Sequence, residues 1–442
     1  MTDASRHGSL LTPDARTLSR NRAEARFRAY GVAAISAALL MLAILLVSIL
    51  GNGLSAFRQT YVTIPVTLPE ADLDKSGTRD LAVMKKVSTI GYGRVIAAAM
   101  QKVLVDKGIS PEGLDPKQIN AILSEEAPAT VRDRVLADPA LIGTTISARL
   151  LVSGRIDGYF KGRVTAASAA QDSKISPDQL KLADALKAAG LIDTGFNWAF
   201  VTAPDASEKR PEAAGLGVAI LGSLYMMAVV LFLSLPIGVA AAVYLEEFAA
   251  KNRFTDVIEV NIANLAAVPS IVFGILGLAA FINFAGLPQS APLVGGLVLT
   301  LMTLPRIIIP ARAALKAVPP SIRDAALGIG ASKMQSVLHH VLPLAAPGIL
   351  TGMIIGLAQA LGETAPLLLI GMVAFVRDYP GAPPHGLLDP ATALPVQIYN
   401  WTQRADPAFV ERASGAIIVL LVFLLIMNTL AIVLRRRFER RW

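Results

Sequence analysis

Pro319-Pro-Ser-Ile-Arg-Asp-Ala-Ala-Leu-Gly-Ile-Gly-Ala-Ser-Lys-Met-Gln-Ser-Val-Leu-His-His-Val-Leu-Pro343 is the stretch from which the architecture can be worked out. Pro320 cannot sit inside a helix and pushes its neighbour away from one. Ser321 with Asp324 three residues on is a capping-box pattern that opens a helix. Gly328 and Gly330 close it, because glycine accepts the left-handed conformation at a helix end. Ser332 with Gln335 is a second capping box, and Pro343 is expected to stop the second helix. The pattern predicts a short helix, a glycine turn and another short helix. Small Ala325 and Ala326 suit close approach by a partner groove. On spacing alone, an ordinary connecting loop fits equally well.

On either side of this loop the chain turns apolar. A membrane span needs about 20 apolar residues. Ala29 to Phe57 and Ala213 to Leu245 carry no charge. Val260 to Pro305 is also free of charge but is broken at Asn283–Pro292, giving two helices joined by a short turn. Val341 to Val376 contains a single acid, Glu363, and Ala413 to Leu434 is the last apolar run. Six spans follow. Arginines mark the cytoplasmic side: Arg16, Arg20, Arg22, Arg26 and Arg28 precede the first span, and Arg435, Arg436 and Arg437 follow the last. The loop carrying Arg312, Lys316, Arg323 and Lys333 falls on the same side. Both termini are therefore expected inside. The alternative is a cleaved signal peptide, but the leader and apolar run are longer than usual for one, so a retained anchor is the expectation for the first span.

The 442 residues are 54% hydrophobic and 17% charged, with mean hydropathy +0.55. Soluble domains carry about 25% charged residues. Residues 1–29 hold six Arg against three acids and 435–442 five Arg against one, so these tails supply most of the net +8. Arginines that flank apolar runs are topology signals, which argues against nucleic acid as a partner. With no cysteine, disulfides, thiolate metal sites and cysteine nucleophiles are excluded.

Residues 53–213 differ, with 20 Lys/Arg against 19 Asp/Glu. Arg58 to Leu68 alternates and is rich in β-branched residues, as a strand is. Tyr92 to Lys107 sets Val95, Ile96, Ala99, Met100, Val103 and Leu104 at helical spacing. Leu114–Leu123, Val131–Ala137 and Pro177–Ala189 look helical, Leu150–Gly154 and Phe196–Val201 strand-like. An α+β domain outside the membrane follows, joined to the second span by a linker at Asp205–Pro211. It shows no catalytic constellation, and Asp72, Asp74, Glu125 and Glu126 read as solvated surface. A docking surface and a plain spacer both fit it.

Glu363 is costly in lipid unless it is paired or faces water, so it is a functional candidate by default, with helix packing as the alternative. Arg306, in Leu304-Pro-Arg-Ile-Ile, either serves the same path or snorkels to the interface.

The loop resembles the EAA motif of ABC importer permeases through Asp324-Ala325-Ala326, Gly330 and Leu342-Pro343, with Asp324 in place of Glu and His340 in place of an aliphatic residue. Gly362-Glu-Thr-Ala-Pro-Leu367, Val268-Pro-Ser-Ile-Val-Phe-Gly274 and Leu394-Pro-Val-Gln-Ile-Tyr399 resemble phosphate permeases of the PstA type. The resemblance covers 214–434, about half the chain. It implies an all-α polytopic protein with a five-helix permease core at 214–434 and a coupling loop at 313–343. Around that core would stand a basic tail at 1–29, a first transmembrane helix at 30–52, the inserted extracytoplasmic α+β domain at 53–213, and a second tail at 435–442.

The resemblance further implies import of inorganic phosphate through a bacterial inner membrane, with sulfate or molybdate as alternative oxyanions. A gradient-driven transporter using Glu363 is the rival reading, though inverted repeats are not evident. Gly-Lys occurs nowhere, so the chain has no Walker A loop, and a separate ATP-binding subunit must supply the energy. A second homologous permease and a periplasmic phosphate-binding protein would complete the assembly in membrane lipid, with no catalytic residue, cofactor or metal in this chain. PstA-type proteins usually carry an arginine where this chain has Gln359; Arg306 or a residue of a partner subunit would replace it, and Arg306 and Glu363 are expected to share a charge network with the second permease. Ser270, Thr364 and Gln359 offer hydroxyl and amide groups to an oxyanion, or hold helices together.

Overall fold

The computed structural model describes residues 15–438 except 75–76, 112 and 373–374. Most of the first basic tail's acids, and the chain end beyond 438, lie outside the described residues. The described residues of the first unit, 15–52, lie in one helix, α1 (Ala15–Gly53). Arg16, Arg20, Arg22, Arg26 and Arg28 are in its first half, so the basic leader is helical and continuous with the apolar run.

The second unit opens with the α+β domain. Strand β1 (Arg58–Thr67) pairs antiparallel on one side with β2 (Thr145–Leu151) and on the other with β3 (Ile192–Phe196), in the order β2-β1-β3. Register is set by pairs such as Ile64 with Ala148 and Tyr61 with Asp193. One face of β1, through Val62, Ile64 and Val66, is fully buried against α2 (Thr89–Asp106). All six apolar positions expected on that helix, from Val95 to Leu104, are buried. Each of the five larger side chains among them contributes about 1.5–3 kcal/mol when buried. Around this core lie α3 (Ala127–Ala137), α4 (Gly154–Phe160) and α5 (Pro177–Ala188). Of the expected Leu114–Leu123 helix only Pro116–Asn120 forms, opened by a capping box from Asp115 to Gln118.

Further readings of this domain are corrected. The strand expected at Leu150–Gly154 keeps only Leu150 and Leu151, at the end of β2, and Gly154 begins α4. The strand expected at Phe196–Val201 ends at Phe196, where Asn197 caps a helix, α6 (Trp198–Thr202). Aromatic and β-branched residues favour a strand, but the Asn197 carboxamide accepting from the Phe200 N–H starts a helical turn instead. Asp205–Pro211 is not a free linker either: buried Asp205 accepts from Trp401 Nε1 at 2.9 Å and pairs with Arg404 at 2.5 Å. Among the acids read as surface, Asp74 is buried and accepts from the Arg79 N–H at 2.6 Å, and Glu126 pairs with Arg210.

The apolar half comprises α7 (Gly217–Val243), α8 (Arg253–Ala267), α9 (Ser270–Gly277), α10 (Pro292–Lys316), α11 (Pro320–Gly328), α12 (Lys333–Ser336), α13 (Leu342–Gly362), α14 (Ala365–Leu369), α15 (Leu394–Gln403) and α16 (Pro407–Phe438). Five helices among the described residues are long and apolar enough to cross a membrane, or six if one bent pair counts as a span. That pair is α8 with α9, the latter running on as a π-turn to Phe284, and it bends by 101°. The bend falls at Val268-Pro269, because Pro269 offers no N–H and holds Val268 extended. The fold is thus an all-α polytopic membrane protein carrying an inserted α+β domain.

In the loop of 319–343, the Ser332–Gln335 capping box forms as expected. Gly330, at φ +90°, closes α11: the Ala331 N–H reaches the Ala326 carbonyl and the Gly330 N–H the Leu327 carbonyl, a Schellman arrangement. The Ser321–Asp324 box does not form; α11 begins instead with Pro320 at its first position, where a missing N–H costs nothing. Nor does Pro343 end a helix. The chain passes from α12 through a π-turn at Val337–Val341 into α13, and this widened turn accommodates the proline ring that a tight α-turn would exclude.

Candidate functional site

Helices α10 and α13 pack closely because glycine faces the contact. A Cβ added at Gly352 would lie 2.6 Å from Pro310 Cβ, and one at Gly356 would lie 3.3 Å from Thr303 Cγ2 and 3.9 Å from Arg306 Cβ. This approach brings Arg306, one residue after Pro305 on α10, to the end of α13. There the helix stops: Glu363 is extended, at φ −76° and ψ 124°, and Thr364 leads into α14 with Pro366 in its first turn. Glu363 therefore sits at a break between two helices rather than within a continuous span, and a side chain at such a break is aimed by the backbone change.

Arg306 Nη1 stands 3.9 Å from Glu363 Oε1, with the two side chains 21% and 19% exposed. The pair is within Coulomb range but beyond hydrogen-bond distance. Arg306 Nη1 is itself buried and has no hydrogen-bond partner among the described residues. A half-buried guanidinium with an unspent donor beside one carboxylate can take an anion, trade its partner during a conformational change, or admit water. Gln359, one turn before Glu363, is exposed; Thr364 and Ser270 are partly buried. Ser270 starts α9, which packs on α14: a Cβ at Gly274 would meet Pro366 Cα at 2.7 Å. Of the five residues singled out on this path, the structure brings Arg306 and Glu363 together, and it packs the helices of Ser270 and Thr364 on each other. No hydrogen bond among the described residues links Ser270, Thr364 or Gln359 to the pair.

At the loop end, Asp324 and Ala325 are exposed, Ala326 is buried, and Leu342 and Pro343 are partly buried. Leu327, Ile329, Met334 and Leu338 stand exposed, Ile329 to 84%. Arg323 fastens this face from behind. Its guanidinium grips Glu247 through Nε and Nη2, at 3.1 and 2.6 Å, and also donates to the carbonyls of Leu315 and Val318. Arg312 likewise pairs with Glu259 at 2.7 Å and Glu246 at 3.5 Å. Sequence reasoning took Arg312 and Arg323 only as topology markers; the acids at 246, 247 and 259 were the available clue.

A third arrangement was missed altogether. Where the α+β domain meets the start of α16, Lys161 Nζ lies 2.7 Å from Asp157 and 2.9 Å from Glu411, and Arg163 also pairs with Glu411. Asp157 accepts from the Thr60 N–H at 3.0 Å. Buried Arg412 donates to the carbonyls of Ala214 and Glu212, each at 2.7 Å, and to Gln59. Glu212 is buried too, and burial is the main force pushing its carboxyl above the usual range, with the Ser124 hydroxyl bond acting against it.

Residues 234–442 match the family described as binding-protein-dependent transport system inner membrane component, and residues 14–170 match a domain of unknown function, DUF3333. A probable ABC transporter permease protein of Bacillus subtilis, YqgI, is 32% identical over 230 residues, spanning 50% of this chain and 78% of that one. The chain belongs to this permease family. Phosphate transport system permease protein PstA 1 of Mycobacterium tuberculosis is 31% identical over 229 residues, spanning 52% of the permease and 73% of its relative. PstA of Mycobacterium leprae is 32% identical over 230 residues, with 52% and 73% covered. Among solved structures, an inward-facing methionine ABC transporter aligns over 51% of the permease and 95% of its own chain, at 16% identity and a TM-score of 0.39. By its family and its 32%-identical relative, the permease is a multi-pass inner-membrane component of an ABC importer. Membership implies an ATPase and a substrate-binding protein as its companions.

Proposed function

We propose that this permease imports inorganic phosphate, with Arg306 and Glu363 as the charged element of its path. The observation that carries the reading is the buried Arg306 Nη1, which lacks a hydrogen-bond partner among the described residues and whose carboxylate neighbour stands back at 3.9 Å. A guanidinium fits the oxygens of a tetrahedral oxyanion. The relatives named as phosphate permeases support the choice of phosphate. Glu363, as an anion, gates rather than binds: it holds Arg306 until substrate arrives. Ser270, Thr364 and Gln359 complete the polar lining.

Both termini and the 313–343 loop lie inside, residues 53–213 outside, and 214–434 form the transport core. Exposed Asp324 and Ala325, with Leu327 and Ile329 beside them, meet the ATPase. Buried Ala326, the Gly330 turn and Leu342-Pro343 give that face its shape. A second homologous permease closes the path, and a periplasmic phosphate-binding protein delivers the cargo. ATPase closure moves the loop and so shifts the spans between outward- and inward-facing states.

The test is uptake of labelled phosphate by the reconstituted complex, with unlabelled phosphate, sulfate and molybdate as competitors. Phosphate alone should compete effectively, and Arg306→Gln should reduce uptake about tenfold or more, as loss of a charge-assisted bond predicts. Equal competition by sulfate, or full uptake by the variant, would contradict the assignment.

A further inference from the structure

The aromatic residues around α6 divide into two groups. Phe200 is fully buried and stacks on Trp401, ring centroids 6.2 Å apart. Phe196 and Trp198, either side of the Asn197 cap, are instead 51% and 69% exposed, and their rings meet edge to face at 4.7 Å. Phe57 ties the groups together, 5.2 Å from Phe200 and 6.1 Å from Phe196. Arg58 is the Cα partner of Phe196 across β1 and β3, so the two side chains share a face of the sheet. It is exposed and has no ion-pair partner among the described residues. Leu54, four residues earlier, is exposed too. Clustered apolar exposure of this kind marks a surface that meets something other than water.

The level of this edge is fixed by α6, which lies against the ends of two spans. A Cβ added at Gly217, the first residue of α7, would lie 2.6 Å from the Thr202 carbonyl oxygen, and one at Gly415 of α16 would lie 2.9 Å from Phe200 Cζ. Gly415 is the third residue of the apolar run that opens at Ala413, directly after Glu411 and Arg412. Charge gives way to hydrocarbon here, which puts α6 at the headgroup layer. Tryptophan, with an apolar ring and a polar N–H, is enriched in that layer, and a guanidinium matches a phosphate. We propose that Phe196, Trp198 and Arg58 form a lipid-binding edge, the two rings entering the headgroup layer beside the spans and Arg58 taking a phospholipid phosphate. The inserted domain is thereby seated on the bilayer surface. The inference rests on the spans and not on the cargo.

Tryptophan fluorescence of the full chain in lipid nanodiscs tests this. Of the three tryptophans, Trp401 is fully buried and shielded, and Trp442→Phe removes the one at the chain end. Subtracting the emission of the same background carrying Trp198→Phe isolates Trp198. The nanodisc lipid is phosphatidylcholine with phosphatidylglycerol, brominated near the ester end of its chains. It should quench Trp198 about twofold or more, and aqueous iodide should quench far less than it does free tryptophan. Arg58→Glu should remove about half of the lipid quenching, because lipid phosphate then repels the edge it had held. Emission quenched by iodide and untouched by brominated lipid would overturn the proposal in favour of a surface facing water or a soluble partner. Protection from both quenchers would overturn it in favour of one covered by protein. Undiminished lipid quenching in Arg58→Glu would overturn the phosphate contact.

Discussion

Charge is handled in opposite ways at the two ends of the spans' polar chemistry. At the junction with the α+β domain, Lys161, Arg163, Asp157 and Glu411 are interlocked, with Lys161 8% and Glu411 3% exposed and Lys161 within 2.7 Å of Asp157 and 2.9 Å of Glu411. In the core, Arg306 and Glu363 stand 3.9 Å apart, each about one-fifth exposed, and Arg306 Nη1 has a donor to spare among the described residues. Buried ions need close partners and full hydrogen bonding to offset their desolvation. The junction supplies the close partners, Glu411 taking Lys161 and Arg163 together, although Arg163 Nε and Glu411 Oε2 meet as an ion pair without hydrogen-bond geometry. It therefore behaves as a structural bolt. The core pair does not, and an incompletely satisfied pair is one that can exchange partners. Density of partners, more than burial alone, separates a charge that holds the fold from one free to act.

The comparison can be broken at the bolt first. Glu411→Ala leaves Lys161 and Arg163 without their shared carboxylate and should cost about 3–5 kcal/mol, as removal of one partner from a buried pair does; chemical unfolding in detergent measures it. A loss below about 1 kcal/mol would show that the junction is no tighter than a surface pair. Next comes the packing that aims the core pair. Gly274→Ala forces a methyl to within 2.7 Å of Pro366 Cα and should destabilise by about 1–3 kcal/mol while lowering uptake, because α14 and the Glu363 break must shift.

Arg323→Ala should cost about 2 kcal/mol by leaving Glu247, 6% exposed, without its guanidinium. Its sharper readout is coupling. ATP hydrolysis by the assembled complex should lose its dependence on cargo, since α11 is no longer fastened to the end of α10.

The smallest effect concerns Glu212 and carries a sign. Burial raises its carboxyl, so the folded state holds more protons than the unfolded one between the ordinary and the raised value. Stability contributed by this group therefore falls as pH rises through that window and stays lower above it. Glu212→Gln removes the penalty and should raise stability at neutral pH, the gain vanishing at pH below the ordinary carboxylate range. A gain that grew on acidification would contradict it.

Local chemistry was legible in the sequence. The spans follow from uninterrupted apolar runs, β1 and α2 from period, and the Ser332–Gln335 box and Gly330 turn from residues a few positions apart. Where proximity in sequence misled, a second local feature prevailed: Pro320 opens α11 in place of Ser321, and a π-turn carries the chain past Pro343. The bolt was invisible for a different reason. Lys161 and Glu411 are 250 positions apart, and neither stands out from its neighbours as a single charge. Arg306 and Glu363 could be nominated individually because charge in an apolar run is expensive, but their separation and the helix break at Glu363 depend on glycine-mediated packing of α10 on α13.

The central claim is that Arg306 and Glu363 act as one exchangeable pair. Phosphate uptake by proteoliposomes containing the full complex should be measured for the original protein, Arg306→Gln, Glu363→Gln and the double variant. The account predicts that each single change impairs uptake and that the double variant loses far less than the two losses combined, since neutralising the second partner removes an unpaired charge. Strictly additive losses, or unimpaired uptake by Glu363→Gln, would contradict it.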